Sequence, residues 1–176
     1  MSDSERTKQK IKVTVIGDGG VGKTSLIQRF TQGTFQKEYI KTIGAQISNY
    51  KVEKNGQRTE LLFWDLAGQD DFHFLRPSFY RASKAAIIVY SLEENNLGKR
   101  SFENILSWYN DVREFCGNIP IVLFANKVDL ISEENIDKTT IEDLVETNQF
   151  LGYFLTSAKT GMRVTDAFNF LIKILR

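Results

Sequence analysis

Cysteine and histidine are almost missing from this chain of 176 residues, where Cys116 and His73 each stand alone. One cysteine excludes an internal disulfide framework and points to a reducing, cytoplasmic setting. It also argues against cysteine–histidine nucleophile chemistry: His73 has no partner set around it and reads as a surface residue, and Cys116 as a helix-face residue. Only two prolines occur, with no low-complexity stretch and no internal repeat, so nothing marks a linker. No apolar run is long enough to cross a bilayer. The first ten residues, Met1 to Lys10, are polar and lack the apolar core of a secretory signal. Ser2 stands where myristoylation requires glycine, and no cysteine near Arg176 offers a prenylation site. The expectation is therefore a chain without a membrane anchor. Neither sign of charge dominates: 23 Lys and Arg against 22 Asp and Glu leave a net charge of +1. That balance gives no field to recruit nucleic acid or an anionic membrane.

The composition itself is that of a folded domain. Hydrophobic residues make up 41% and charged residues 26%, enough apolar surface for a buried core. Strand-like runs alternate with helical patterns, which implies an α/β domain around a mostly parallel sheet. The first strand reads as Ile11–Ile16, followed by a helix from Lys23 to about Thr31. Residues 43–52 and 59–65 read as two strands joined by Asn55-Gly56, a strong hairpin signal, and so as an antiparallel pair. The continuous apolar runs Ala85–Tyr90 and Ile121–Ala125 fit strands covered on both faces. Between them Phe102, Ile105, Leu106 and Tyr109 recur at helical spacing. Thr139 and Glu142 have the spacing of a capping box that opens a helix through Gln149. A short strand at Tyr153–Thr156 then precedes a final helix with the apolar stripe Val164, Ala167, Phe168, Leu171, Ile172 and Leu175.

Chemistry enters between the first strand and the first helix. Gly17, Asp18, Gly19, Gly20, Val21, Gly22, Lys23 and Thr24 match G-x-x-x-x-G-K-[ST] at every defined position, with Ser25 next in line. From average residue frequencies, a chance match in a chain this long is on the order of one per cent. Glycines let the backbone wrap closely enough for successive N–H groups to face phosphate oxygens. The helix that follows adds its positive end. Lys23 has the reach to neutralise β- and γ-phosphate charge, and the Thr24 hydroxyl suits Mg²⁺. The loop predicts a nucleoside triphosphate site, shared by kinases, ATPases and GTPases alike.

The base is read elsewhere. Asn126, Lys127 and Asp129 follow the apolar run Ile121–Ala125, at the carboxyl edge of the sheet, where ligands of open α/β folds bind. A carboxylate there accepts from the ring N–H and the exocyclic amine of guanine, a pair adenine cannot supply. Adenine would strand the carboxylate, at a cost of about 1–3 kcal/mol. Combined with the phosphate loop, this motif predicts guanine.

With these motifs in order, the chain resembles a Ras-superfamily small GTPase, nearest in flavour to the Rab branch, over about Lys10 to Arg176. The resemblance implies a six-stranded, mostly parallel sheet with one antiparallel strand and five helices, in a domain of residues 10–176 after a flexible polar tail of residues 1–9. It implies that Phe35 packs an edge against guanine and that Tyr39 and Thr42 lie on a first switch, about residues 35–44. Thr42 would then meet Mg²⁺ and the γ-phosphate in the triphosphate state. In Asp65-Leu66-Ala67-Gly68-Gln69 the resemblance gives Asp65 a hold on Mg²⁺ and the Gly68 N–H a hold on the γ-phosphate. Gln69 orients the attacking water, with Lys23 and Thr42 beside it at the reacting phosphate; a second switch spans about residues 66–80. Ser157, Ala158 and Lys159 match the last guanine loop, the Ala158 N–H meeting the base oxygen. The implied activity is slow hydrolysis of GTP to GDP by a monomeric molecular switch. Its partners would be effectors, an exchange factor and an activating protein at the switches, with trafficking as the setting by analogy. No arginine lies in the first switch, so a finger in trans is implied.

Departures narrow the transfer. Ala45-Gln46-Ile47 stand where Rab proteins usually carry valine, aspartate and phenylalanine, which weakens any transfer of effector specificity. Asp70 and Asp71 follow Gln69, and helix capping is the preferred reading of that pair. The resemblance also implies a variable tail with lipid-bearing cysteines, which this sequence does not include, so the expectation is either a tail removed after the final helix or a protein that works without an anchor. Two rival readings stay open: a P-loop kinase or ATPase, against which no lid insertion is seen, and a pseudo-GTPase that keeps GTP as a structural cofactor.

Overall fold

The computed structural model describes residues 8–38, 40–54, 56–68 and 70–176, without the side chains of Lys8 and residues 70–72. The expectations for Tyr39, Asn55 and Gln69, and for capping by Asp70 and Asp71, lie outside that description. In chain order the elements are β1 (Lys8–Ile16), α1 (Lys23–Gln32), β2 (Ala45–Lys54), β3 (Gln57–Leu66), a 3₁₀ turn (Asp70–Leu75), α2 (Arg76–Tyr80), β4 (Ala85–Ser91) and α3 (Asn96–Glu103). There follow α4 (Ile105–Cys116), β5 (Ile121–Asn126), α5 (Lys138–Thr147), β6 (Tyr153–Thr156) and α6 (Val164–Ile174). The six strands form one sheet in the order β2-β3-β1-β4-β5-β6, parallel except for the antiparallel β2–β3 pair. Hydrogen bonds run on through Asn104, whose N–H reaches Arg100 O at 2.9 Å and whose carbonyl accepts from Trp108 at 3.2 Å. Helices α3 and α4 are thus two halves of one rod, and five helices flank the sheet among the described residues.

The period of two along each strand sorts the core into two layers. Ile87 and Val89 of β4 face one cluster, with Val13, Val15, Leu26, Phe63, Phe124 and Phe168, under α1 and α6. Ala86, Ile88 and Tyr90 face the other, with Trp108, Val112, Leu123 and Ile141, under α4 and α5. Every residue of β4 and β5 is buried, which is why both read as unbroken apolar runs. Phe168 anchors the first layer, stacked on Phe30 at 4.4 Å and edge-on to Phe63 and Phe124 at 5.2 Å. The α6 stripe is buried from Val164 to Ile172 as its spacing predicts. The β2–β3 hairpin closes Lys54 onto Gln57 across two residues, with Gly56 at φ 76.

Five details differ from the sequence expectation. β1 begins at Lys8, inside the segment expected to be tail. Its polar start joins the ladder with Lys8 opposite Arg58 and Gln9 opposite Thr59, so no apolar pattern announces it. β2 begins at Ala45 rather than residue 43, because Gly44 turns the chain at φ 68. The cap of α5 is Asp137, not Thr139: its carboxylate accepts from Thr140 N at 3.0 Å and Thr140 Oγ1 at 2.6 Å. That cap satisfies the helix opening one turn earlier, and Glu142 instead accepts from the Tyr153 hydroxyl at 3.0 Å. The same helix stops at Thr147, with Gln149 in the left-handed region at φ 57. On α4 the buried face is Ile105, Trp108 and Val112, while Leu106 is exposed. Cys116 is a half-buried helix residue whose thiol faces Tyr80 O at 3.4 Å, and burial pushes that thiol up from its ordinary value. No helix among the described residues is long and apolar enough to cross a membrane.

Candidate functional site

Strand order reverses at β1, whose neighbours β3 and β4 lead to opposite halves of the sheet. A crevice opens at the carboxyl ends of the strands at such a point. There a cavity of about 590 Å³ is lined at one end by Gly19, Gly20, Gly22, Lys23, Thr24 and Ser25 and at the other by Asn126, Lys127, Asp129, Ala158 and Lys159. Phe35, Thr42 and Gly68 complete the wall. The sequence motifs from five separate stretches therefore meet on one cavity.

At the phosphate end the loop between β1 and α1 turns back on itself. Gly22 opens α1 at φ 100, and a Cβ there would sit 2.3 Å from the Asn126 amide, so both conformation and space demand glycine. Lys23 is 6% exposed and donates to Gly17 O and Asp18 O, each at 2.9 Å. Burial lowers its ammonium to about 8, against the opposing pull of Asp65 and Asp18, while Arg76 adds to the lowering. An anion placed in the cavity supplies the stabilisation that water no longer gives this charge.

Beside Lys23 three oxygen side chains converge. The Thr24 hydroxyl donates to Asp65 Oδ2 and lies 3.0 Å from Thr42 Oγ1. Asp65 is 2% exposed, and burial pushes its carboxyl up, opposed by the Thr24 hydrogen bond, the Lys23 charge and the Thr42 hydrogen bond. Its second oxygen, Oδ1, is buried with no hydrogen-bond partner among the described residues. Two hydroxyls and a carboxylate with an idle buried oxygen are a hard-cation donor set, so the residues fit Mg²⁺.

At the base end Asn126, 1% exposed, is a brace between loops. Its Nδ2 donates to Val21 O at 2.9 Å, and its Oδ1 accepts from Ala158 N at 3.2 Å and Thr156 Oγ1 at 3.3 Å. Ser157 donates to Asp129 Oδ1 at 2.6 Å and accepts from Thr160 N at 3.0 Å, which fixes the direction of the Asp129 carboxylate. Of the residues expected at the nucleotide, Asp18, Val21 and Ser157 stand behind the wall rather than on it. Each acts on a neighbour: Asp18 turns towards α4, Val21 lends its carbonyl to Asn126, and Ser157 orients Asp129.

Two supporting contacts escape sequence reading. Asp18 accepts from Trp108 Nε1 at 2.8 Å and Asn104 Nδ2 at 2.7 Å, so α4 ties down the phosphate loop. A face of the Trp108 ring carries the Arg76 guanidinium at 4.1 Å, itself paired to Asp111 at 3.1 Å. Lys127 is held by Glu93 at 2.7 Å, and Glu93 also accepts from Ser91 Oγ at 2.9 Å. Trp108 is an aromatic residue lying between Leu106 and Tyr109 of the apolar stripe, and Glu93 belongs to a polar connection; neither carries a motif that marks it.

A phosphate loop at a sheet switch point, a hard-cation corner beside it and a carboxylate aimed into the far end define a P-loop guanine-nucleotide-binding domain. The Ras family model matches residues 12–176. The chain is 36% identical over 163 residues to "Ras-related protein Rab-13" of Mesocricetus auratus, covering 92% of this chain and 78% of the relative. It is 35% identical to "Ras-related protein Rab-1A" of Dictyostelium discoideum, over 89% and 76% of the two chains. It is likewise 35% identical to "Ras-related protein Rab-21" of Homo sapiens, over 92% and 70%. The chain belongs to the Ras family. It is a Rab-like small GTPase, a switch that binds GTP and GDP with Mg²⁺ and hydrolyses GTP.

Proposed function

We propose that this domain works as a cytoplasmic, monomeric switch of membrane trafficking, with the individual roles that its cavity supports. The observation that carries the assignment is the convergence of Thr24 and Thr42, which line the Lys23 end of the cavity, with Asp65 behind them, bonded to the Thr24 hydroxyl. Lys23 binds the β- and γ-phosphate oxygens and recovers in that bond the charge stabilisation that burial removes. Thr24, Thr42 and Asp65 would hold the Mg²⁺, which would supply neutralisation of the negative charge developing on the phosphate oxygens. Gly68 lines the cavity and presents its N–H to the γ-phosphate, and Gln69, the next residue, orients the attacking water. Asp129 pairs with the guanine edge and Phe35 packs against the base, while the Ala158 N–H, which donates to Asn126 Oδ1 at 3.2 Å, meets the base oxygen by sharing its proton between the two acceptors.

Hydrolysis removes the partner of Thr42 and Gly68 and releases the segments that carry them, residues 35–44 and 66–80. Ile40, Ile43, Ile47 and Phe74, at 54–75% exposed, lie on or next to those segments, an apolar surface that effectors and regulators can read in one state only. The opening of β1 at Lys8 supports a domain that starts slightly before the expected residue 10. The test is to denature freshly purified protein and identify the released nucleotide by chromatography. GDP at near one per chain supports the base and hydrolysis assignments; adenine nucleotide overturns the guanine reading, and GTP alone favours the pseudo-GTPase.

A further inference from the structure

We infer that Arg29 is a positioning residue of the base pocket, setting guanine preference from the side of the loop that faces away from the ligand. The inference rests on the base-end assignment proposed above. Arg29 sits in the last turn of α1, half-buried, 97 positions before Asn126 and 128 before Ser157, the starts of the two motifs that read the base. Its guanidinium spans three backbone carbonyls: Nε donates to Ala158 O at 2.7 Å, Nη2 to Lys159 O, and Nη1 to Gly33 O at 3.3 Å. A Cβ built on Gly161 would meet Arg29 Cδ, Nε and Cζ at 3.8–4.0 Å, so the side chain also packs under the turn that ends the loop.

Peptide planarity turns these outward grips into inward geometry. In a trans peptide the N–H points opposite to the carbonyl. Holding Ala158 O against α1 directs the Lys159 N–H towards the opposite side. Holding Lys159 O in the same way directs the Thr160 N–H back to Ser157 Oγ, where the structure finds it at 3.0 Å. Ser157 Oγ in turn donates to Asp129 Oδ1 at 2.6 Å. A relay of backbone and hydroxyl thus runs from Arg29 to the carboxylate that reads guanine. On the inner side Asn126 Oδ1 takes the Ala158 N–H, so this loop is clamped between Asn126 and Arg29. Only a planar fork with several donors grips two successive carbonyls at once; a lysine ammonium on a flexible stem does not reproduce it.

The test measures release of GDP and of IDP, whose base lacks the exocyclic amine, from the full chain carrying Arg29→Gln, Arg29→Lys or Asp129→Asn. Arg29→Gln is expected to release GDP about tenfold faster and to reduce the GDP-over-IDP preference several-fold, the size of a lost charge-assisted hydrogen bond. Arg29→Lys, which keeps the charge and protects against simple misfolding, is expected to fall between wild type and Arg29→Gln in both. A lowered melting temperature with an unchanged GDP-over-IDP ratio in both arginine variants makes Arg29 merely structural and overturns the inference. If Asp129→Asn also leaves that ratio unchanged, the base-end assignment itself is what fails.

Discussion

Replacing Gly68 by alanine tests how closely the segment after β3 approaches the phosphate loop. A Cβ on Gly68 would lie 2.3 Å from the Asp18 carbonyl carbon and the Gly19 nitrogen, and 2.4 Å from Gly17 O. All three are backbone atoms, and ordinary contact for a Cβ begins at 3.4 Å. The two segments must therefore part by about 1 Å, since no flexible side chain is there to yield. Overpacking of this kind costs ~1–3 kcal/mol, and in a domain of this size each kcal/mol lowers the melting temperature by roughly 2–4 °C. A displacement of about 1 Å at a reacting group costs on the order of 10²-fold in rate. The expected outcome for Gly68→Ala is a melting temperature lower by roughly 2–12 °C and single-turnover GTP hydrolysis slower by about 10²-fold, with GDP still bound. Gly152→Ala is the matched control: no atom lies within 4 Å of its Cβ, so the change is neutral or stabilising by up to about 1 kcal/mol. Wild-type hydrolysis and melting in Gly68→Ala would refute the close approach as a functional constraint.

Three further outcomes are expected. Asp129→Asn removes the acceptor for the guanine edge and should weaken GDP by about 5–150-fold in a dissociation assay, the equivalent of ~1–3 kcal/mol; undiminished affinity overturns base recognition by Asp129. Gln69→Leu should nearly abolish hydrolysis while GTP stays bound, and unchanged turnover would remove Gln69 from the water-positioning role. The third concerns pH. Burial raises the Glu93 carboxyl, but hydrogen bonds from Lys127 and Ser91 and the Lys127 charge outweigh it and hold the group below its ordinary value of 4.5. A carboxyl lowered in the folded state contributes stability that is full above 4.5 and lost as pH falls through the lower folded value. The stability gap between wild type and Glu93→Gln, followed by denaturant unfolding, should be constant from pH 7 to 5 and close at more acidic pH. A gap that persists in acid means that Glu93 acts by packing and not by charge.

Local chemistry made most of the fold and the binding motifs legible in advance. The β-branched run into glycines, the buried runs of β4 and β5 and the α6 stripe each carry a pattern set by burial on one or both faces, and burial is what sequence periodicity records. The phosphate loop, Asp65-Leu66-Ala67-Gly68 and Asn126-Lys127-Val128-Asp129 are legible because each is a run of neighbouring residues. The start of β1 at Lys8 was not, since backbone pairing needs no particular side chain. The α5 cap was misread because Asp137 and Thr139 are both acceptable caps, and only the path of the chain out of residues 133–136 selects the first. What tertiary structure alone decided is which distant groups support the motifs. Asp18 reaches Trp108 across 90 positions, Glu93 reaches Lys127 across 34, and Arg29 reaches Ala158 across 129. Parallel strand order brings these residues together, and no local propensity encodes a contact whose partner lies on another strand or helix. The sequence by itself determined the class of ligand; packing around the sheet determined how firmly, and by which unmarked residues, the reading groups are held.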